Sequence, residues 1–407
     1  MKEITLAATF STLLTPAFAG ELVINTDTSD PAPKAAFEAL IEGFEAEHPD
    51  IHVTWNVFDT EGYKTSIRNF LSAQPPDVIT WNAGNRMRPY VDAGLFEPLD
   101  TLWTENDLDT PFLQVRTALT LDGSIWGIPY TYYPWGLYFR KDILDENGIA
   151  PPETWGDLLT ASAKLREVGV TPISIGTKYL WTAAGVFDYV NLRQNGYDFH
   201  MALTRGEVPW TDDRVKATMA RWQELIEAGA FLENHPAFSF QEALAPLVQG
   251  EAAMSVTGNF VIEPLRAAGL KDEQIGFVRF PVIDPAIAIA EDAPIDTLHI
   301  PAGATNKEDA ATFLIYAARA DVQSDINAIL GQLPVNAQSP APEDPFLSQG
   351  HAMLSETPGG MAQFFDRDAK AEMAQMAMEG FQEFMVKPER LDKILERLEK
   401  GRERIYR

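Results

Sequence analysis

The run from Asp122 to Trp155, DGSIWGIPYTYYPWGLYFRKDILDENGIAPPETW, gathers Trp126, Tyr130, Tyr132, Tyr133, Trp135 and Tyr138 into one strand-like stretch. Gly127, Pro129, Pro134 and Gly136 interrupt it. Rings at this density suit a wall that stacks on a flat apolar ligand face, and sugar rings present such faces. Tyr and Trp add a polar tip to a large rigid surface. The competing reading is a core strand of a large domain, and Trp126 and Tyr138 fit it better than a contact surface.

Catalysis would need a nucleophile, a base or a metal cluster. His48, His52, His200, His235, His299 and His351 are scattered, with no H-E-x-x-H motif. G-x-S-x-G, phosphate-loop and G-x-G-x-x-G patterns are also absent. Cysteine is missing, which removes disulfides, thiol catalysis, Cys-ligated zinc and the lipoprotein route of anchoring. Carboxylates are plentiful, but nothing places two together as a glycosidase requires. The expectation is a non-catalytic protein with no cofactor and no metal. A secreted carbohydrate-active enzyme such as a glycosidase is the alternative.

The elements that would position a site alternate strand and helix. Residues 21–26 read as a buried strand, followed by a helix with Phe37, Leu40, Ile41 and Phe44 on one face. A strand over 51–57, a helix around 63–73 and a strand over 77–81 complete a β-α-β-α-β order. Such an order implies a parallel sheet with helical crossovers. Later, Thr154-x-x-Asp157 is a capping box. Strands are expected at 171–176, 250–258, 275–282 and 296–302, with a helical tail that carries Leu391, Ile394, Leu395 and Leu398 on one face.

In open α/β sheets, ligands bind beyond the carboxyl ends of the strands. That rule selects Asp27, Thr28 and Ser29, then Trp81, Asn82 and Asn85. It also selects Lys178, Trp181 and Thr182 leading into a helix near Gly185, and Thr257, Gly258 and Asn259. These hydroxyls, amides and aromatics are the set a polyhydroxylated ligand needs. Each could equally be a helix cap or turn residue.

A chain of 407 residues exceeds one ordinary core, so two domains are expected. With 32 basic and 59 acidic residues the formal net charge is −27, which argues against nucleic acid or an anionic membrane as partner. Residues 1–19 read as a secretory signal, with Lys2, a mostly apolar stretch from Ile4 to Leu14, and Ala17-Phe18-Ala19 before Gly20. The mature protein is expected to be soluble and, in a Gram-negative cell, periplasmic.

Several segments in order resemble the family 1 extracellular solute-binding proteins of ABC importers, the maltose-binding-like group. They are 44–53 (FEAEHPDIHV), 76–82 (PDVITWN) with 90–100 (YVDAGLFEPLD), the 122–155 run, 247–260 (LVQGEAAMSVTGNF), and 302–318 (AGATNKEDAATFLIYAA) followed by 333–337 (LPVNA). One departure is Phe260 after Asn259, where the family often has Trp directly after the glycine.

The resemblance implies a periplasmic-binding-protein-like α/β fold: two α/β lobes, a ligand cleft and multiple crossovers between them. The expected lobes are 20–129 plus 286–332, and 130–285 plus 333–407. The expected partners are a sugar or glycoside and the permease subunits of the importer, with the receptor a monomer. The resemblance brings Thr28, Ser29, Tyr63 or Ser66, Trp81, Asn82, the wall of Tyr132, Tyr133 and Trp135, Trp181, Gly185, Ser239, Asn259, Phe260 and Arg367 to the cleft. Arg367, in the 364–368 stretch FFDRD, is either a surface ion pair with Asp366 or Asp368, or a donor to sugar hydroxyls or an anion. Its segment also resembles receptors for sulfoquinovosyl glycerol, an anionic sulfonated glycoside.

Overall fold

The computed structural model describes residues 20–407. The expected signal segment, 1–19, lies outside the described residues.

The first sheet grows from β1 (Gly20–Thr26), β2 (Ile51–Val57) and β3 (Val78–Asn82). β1 pairs in parallel with both β2 and β3, as the β-α-β-α-β order requires. Helix Pro31–Glu47 covers it, with Pro31 in the first turn and Ala36, Phe37, Leu40, Ile41 and Phe44 buried. After a short hairpin, β4 (Thr120–Leu121) and β5 (Ser124–Ile125), the chain enters β6 (Ile128–Tyr132).

Only Tyr133 and Pro134 separate β6 from β7 (Trp135–Arg140), which belongs to a second sheet. That sheet also holds β8 (Thr171–Ile173), β9 (Ala252–Gly258) and β10 (Ile275–Val278), in the order β10-β7-β9-β8. Its core contains Trp210, Trp222 and Phe381, under helices Trp181–Asn195 and Ala371–Val386. The Thr154–Asp157 capping box opens helix Trp155–Glu167 as expected.

The chain returns through β11 (Glu291–Asp292) to β12 (Ile295–His299), which inserts between β3 and β6 and runs antiparallel to both. The first sheet is therefore mixed, in the order β2-β1-β3-β12-β6. The backbone of Leu333 then pairs with Tyr132 on its way back to the second lobe. There β13 (Met361–Ala362) lies parallel to β11.

The chain thus crosses between two α/β lobes at Tyr133–Pro134, at Ala293–Pro294 and after Leu333. Ladder pairing marks these points. The division expected at 129/130 falls inside β6, whose last residue still pairs with Ile295 of β12. The division expected at 285/286 falls ahead of β11, where Ala290 packs with Leu192, Met201 and Ala362 of the second lobe.

Candidate functional site

The carboxyl end of β3 faces the start of β12, because the two strands are antiparallel and Asn82 is the register partner of Asp296. The β12–β6 ladder shifts register between Asp296 and Thr297, and such a bulge re-aims a side chain. The Asn82 amide donates to Asp296 Oδ1 at 3.0 Å. From the other lobe, the short helix Phe365–Asp368 delivers Arg367. Arg367 Nη1 donates to Asp296 Oδ1 at 2.8 Å and Nη2 donates to the Tyr133 hydroxyl at 2.7 Å. Asp296 of the first lobe and Tyr133 of the crossover therefore converge on Arg367 of the second.

This ion pair is partly accessible, with side-chain exposures of 16% and 20%. Burial pushes the Asp296 carboxyl above its ordinary range, and the Arg367 charge pulls it back. For Arg367 burial works against the charge, but Tyr133, Asp296 and Asp366 outweigh it, so the guanidinium stays protonated. Burial likewise raises the Tyr133 phenol, which remains neutral. A second carboxylate, Asp27, accepts from the Thr80 hydroxyl at 2.8 Å at the end of β1 and adds negative potential at Asp296.

Beside the ion pair stands an aromatic wall. Tyr133 and Phe260 meet edge to face at 5.3 Å, Phe240 and Phe260 likewise at 5.3 Å, and Trp181 lies 5.4 Å from Phe240. Trp181, Phe240 and Phe260 are half-buried and form the accessible front. Trp135 is only 2% exposed and stacks on Phe364 at 4.7 Å. It backs the wall from the core. Gly185 allows this, since a Cβ there would sit 2.3 Å from Trp135 Cζ3.

The other expected residues are placed as follows. Thr28 is buried with its hydroxyl on Thr26 at 2.7 Å, and Ser29 is exposed. Ser66 is half-buried on helix Thr60–Ala73, while Tyr63 is fully buried and donates to the carbonyls of Asn25 and Thr80. Trp81 is a core residue. Its indole donates to the Arg86 carbonyl at 3.2 Å, and its ring meets Tyr90 edge-on at 5.5 Å. Tyr132 is tied through its backbone to Leu333.

Ser239 caps helix Phe240–Gln249 in a capping box with Glu242, and Thr182 donates to the Gly176 carbonyl at 2.6 Å. Asn259 is 1% exposed, and among the described residues neither its amide nitrogen nor its oxygen has a partner, nor do the buried Thr257 hydroxyl and Trp135 indole nitrogen. The structure thus joins Asn82, Tyr133 and Arg367 by hydrogen bonds, and Tyr133, Trp135, Trp181 and Phe260 by ring contacts. Thr28 and Trp81 are bonded elsewhere in the first lobe. Asp296 and Phe240 are central and were not among the expected residues. The Ser239-x-x-Glu242 capping box is the signal that places Phe240 at a helix start.

The lobes also meet at their rims. Arg86 Nη1 donates to the Asp366 carbonyl at 2.9 Å, Asn85 donates to the Asp368 carbonyl at 2.7 Å, and Gln241 reaches Asp30 at 3.4 Å.

Residues 28–324 match the family model described as bacterial extracellular solute-binding protein. An uncharacterized ABC transporter extracellular-binding protein of Pyrococcus horikoshii is 28% identical over 320 residues, covering 77% of this chain and 71% of its own. The multiple sugar-binding protein of Streptococcus mutans is 24% identical over 288 residues, covering 69% and 67%. Among solved structures, the bacterial solute receptor AcbH, described as having an exclusive substrate preference for β-D-galactopyranose, superposes with a TM-score of 0.88 at 27% identity. That match covers 95% of this chain and 100% of AcbH.

Proposed function

The chain belongs to the bacterial extracellular solute-binding proteins, and on that premise we propose that it is the sugar receptor of an ABC importer, taking an uncharged pyranose into the cleft between its lobes. The observation that carries this reading is the cluster of Arg367, Asp296, Asn82 and Tyr133 beside the Phe260–Trp181 wall. A carboxylate accepts from sugar hydroxyls, a guanidinium and an amide donate to them, and the rings take the apolar face. The galactopyranose preference of AcbH and the multiple sugar-binding protein of Streptococcus mutans agree with this class.

An anionic ligand such as sulfoquinovosyl glycerol has less support. The positive charge that would hold its sulfonate is already offset, because Arg367 is ion-paired with Asp296, and the Thr182 hydroxyl donates to the Gly176 carbonyl. Lys178 is exposed and lies over the Tyr179 ring, and Ser239 serves as a cap. Asp27 and Asp296 leave the floor negative.

The lobes pivot about Tyr133–Pro134, Ala293–Pro294 and the 333–338 stretch. The secreted, monomeric receptor hands its sugar to the permease subunits from the periplasm. Asn82, Tyr133, Trp181, Phe240, Phe260 and Arg367 are assigned as contacts, with Trp135 and Gly185 behind them. The test is a thermal-shift panel of neutral and sulfonated sugars with product analysis on the same samples, since a ligand bound by the native state alone raises its stability. Stabilisation by a neutral pyranose without product supports the reading. Product formation supports a glycosidase, and stabilisation by the sulfonated glycoside alone overturns the uncharged class.

A further inference from the structure

Asp188, in helix Trp181–Asn195, and Asp292, in the crossover strand β11, are both fully buried. Their carboxyl groups lie within side-chain hydrogen-bonding reach of each other. Among the described residues, Asp188 Oδ1 and both oxygens of Asp292 have no conventional donor. Asp188 Oδ2 accepts from the Phe365 backbone N–H at 2.9 Å. Phe365 opens the short helix that carries Arg367.

The cations nearby are committed to other partners. Arg193 and Arg279 both pair with Glu291 at 2.8 Å, and Arg367 pairs with Asp296. From helix Tyr197–Thr204, His200 Nε2 stands 3.8 Å from Asp188 Oδ1. Burial lowers its pKa to about 3, so the ring is neutral. From the 365–368 helix, Asp366 adds negative charge to both carboxyls. The Tyr189 hydroxyl faces the Asp292 backbone N–H at 3.4 Å. Two carboxylates in contact, buried and without a cation of their own, cannot both be ionised.

We propose that Asp188 and Asp292 share one proton in the native protein, and that the bridged pair is a positioning device that holds the Phe365–Asp368 helix so that Arg367 reaches Asp296 in the cleft. The positioning rests on the reading of Arg367 as a binding residue. The proton does not. Burial raises both carboxyls well above the ordinary range. The native state then keeps a proton that the unfolded chain releases near pH 4, so stability is full below that pH and declines as pH rises toward the pair's own pKa.

The test compares the full chain with Asp292→Asn, whose amide supplies the bridging hydrogen without a titratable proton, and with Asp292→Ala. In urea unfolding from pH 5 upward, the folding constant of the wild type should fall relative to Asp292→Asn by about tenfold per pH unit while the pair holds its proton. Parallel pH curves would overturn the shared proton. Hydrogen exchange at the Phe365 amide should quicken in Asp292→Ala and stay slow in Asp292→Asn. Unchanged exchange in Asp292→Ala would overturn the positioning. If Asp292→Ala does not fold, Asp188→Asn takes its place: it should leave the Phe365 amide held only by a neutral side-chain oxygen, so that exchange quickens, and equal exchange overturns the positioning. None of these readouts uses a sugar, so failure of the binding proposal would show separately, as wild type that binds no sugar while the slope and exchange differences persist.

Discussion

Arg367 and Asp296 form a 2.8 Å ion pair across the cleft, one residue from the second lobe and one from the first. The pair spans the two lobes, so breaking it removes both a contact between them and part of the cluster proposed to meet a sugar. Arg367→Ala and Asp296→Asn should each weaken sugar binding by more than about 1.4 kcal/mol, a factor of ten. The double variant should lose less than the sum, with a coupling of about 0.5–3 kcal/mol. Calorimetric titration of the four proteins gives the cycle, and strict additivity would mean that the two side chains act independently.

Tyr133 and Trp135 should separate in experiment although they are two residues apart. Tyr133→Phe removes only the hydroxyl that accepts from Arg367, so binding should fall by about 1 kcal/mol with little change in stability. Trp135→Ala empties a core position, and should destabilise by about 3–5 kcal/mol. Unfolding curves beside binding curves would show it. A Trp135→Ala variant of full stability would move that ring out of the core and back to the accessible wall.

Gly185→Ala is a finer probe of the same support. The added methyl would fall 2.3 Å from Trp135 Cζ3, and overpacking of a rigid ring costs about 1–3 kcal/mol. A lowered melting temperature is expected. Equal melting would show that Trp135 has room to move.

His299 is fully buried, stacked on Phe96 at 4.5 Å, with Nδ1 on the Trp126 carbonyl and Nε2 on the Thr297 hydroxyl. Burial lowers its pKa to about 4 from an ordinary value of 6.5. Between those values the unfolded chain binds the proton and the native chain does not. Stability from this group is therefore present above pH 6.5 and is lost as pH falls, by about 3 kcal/mol in all. Relative to His299→Gln, the wild type should lose stability from pH 6.5 to pH 4 in urea unfolding. Parallel curves would contradict the neutral buried ring.

The aromatic run, the capping boxes and the strand–helix alternation were legible because each is local: ring density, side-chain spacing and caps act within a few residues. Asp296 was not. The rule that ligands lie beyond the carboxyl ends of strands holds for β3 and reaches Asn82. β12 runs the other way, so its first residues, not its last, lie at that edge. Strand direction in a mixed sheet is decided by a crossover far away in sequence. Thr28 and Ser239 carry the right chemistry for hydroxyl recognition, but their oxygens are taken by Thr26 and by a helix start. Which of two uses a hydroxyl serves depends on tertiary neighbours.

Calorimetric titration of the protein with D-galactose and other neutral hexopyranoses, run beside Arg367→Ala, asks directly whether the cleft is a neutral-sugar site built around that guanidinium. A neutral-sugar cleft should give saturable one-to-one binding of a neutral pyranose by the wild type and at least tenfold weaker binding by the variant, both folded. Neutral sugars that do not bind, or that bind equally well without Arg367, would contradict it.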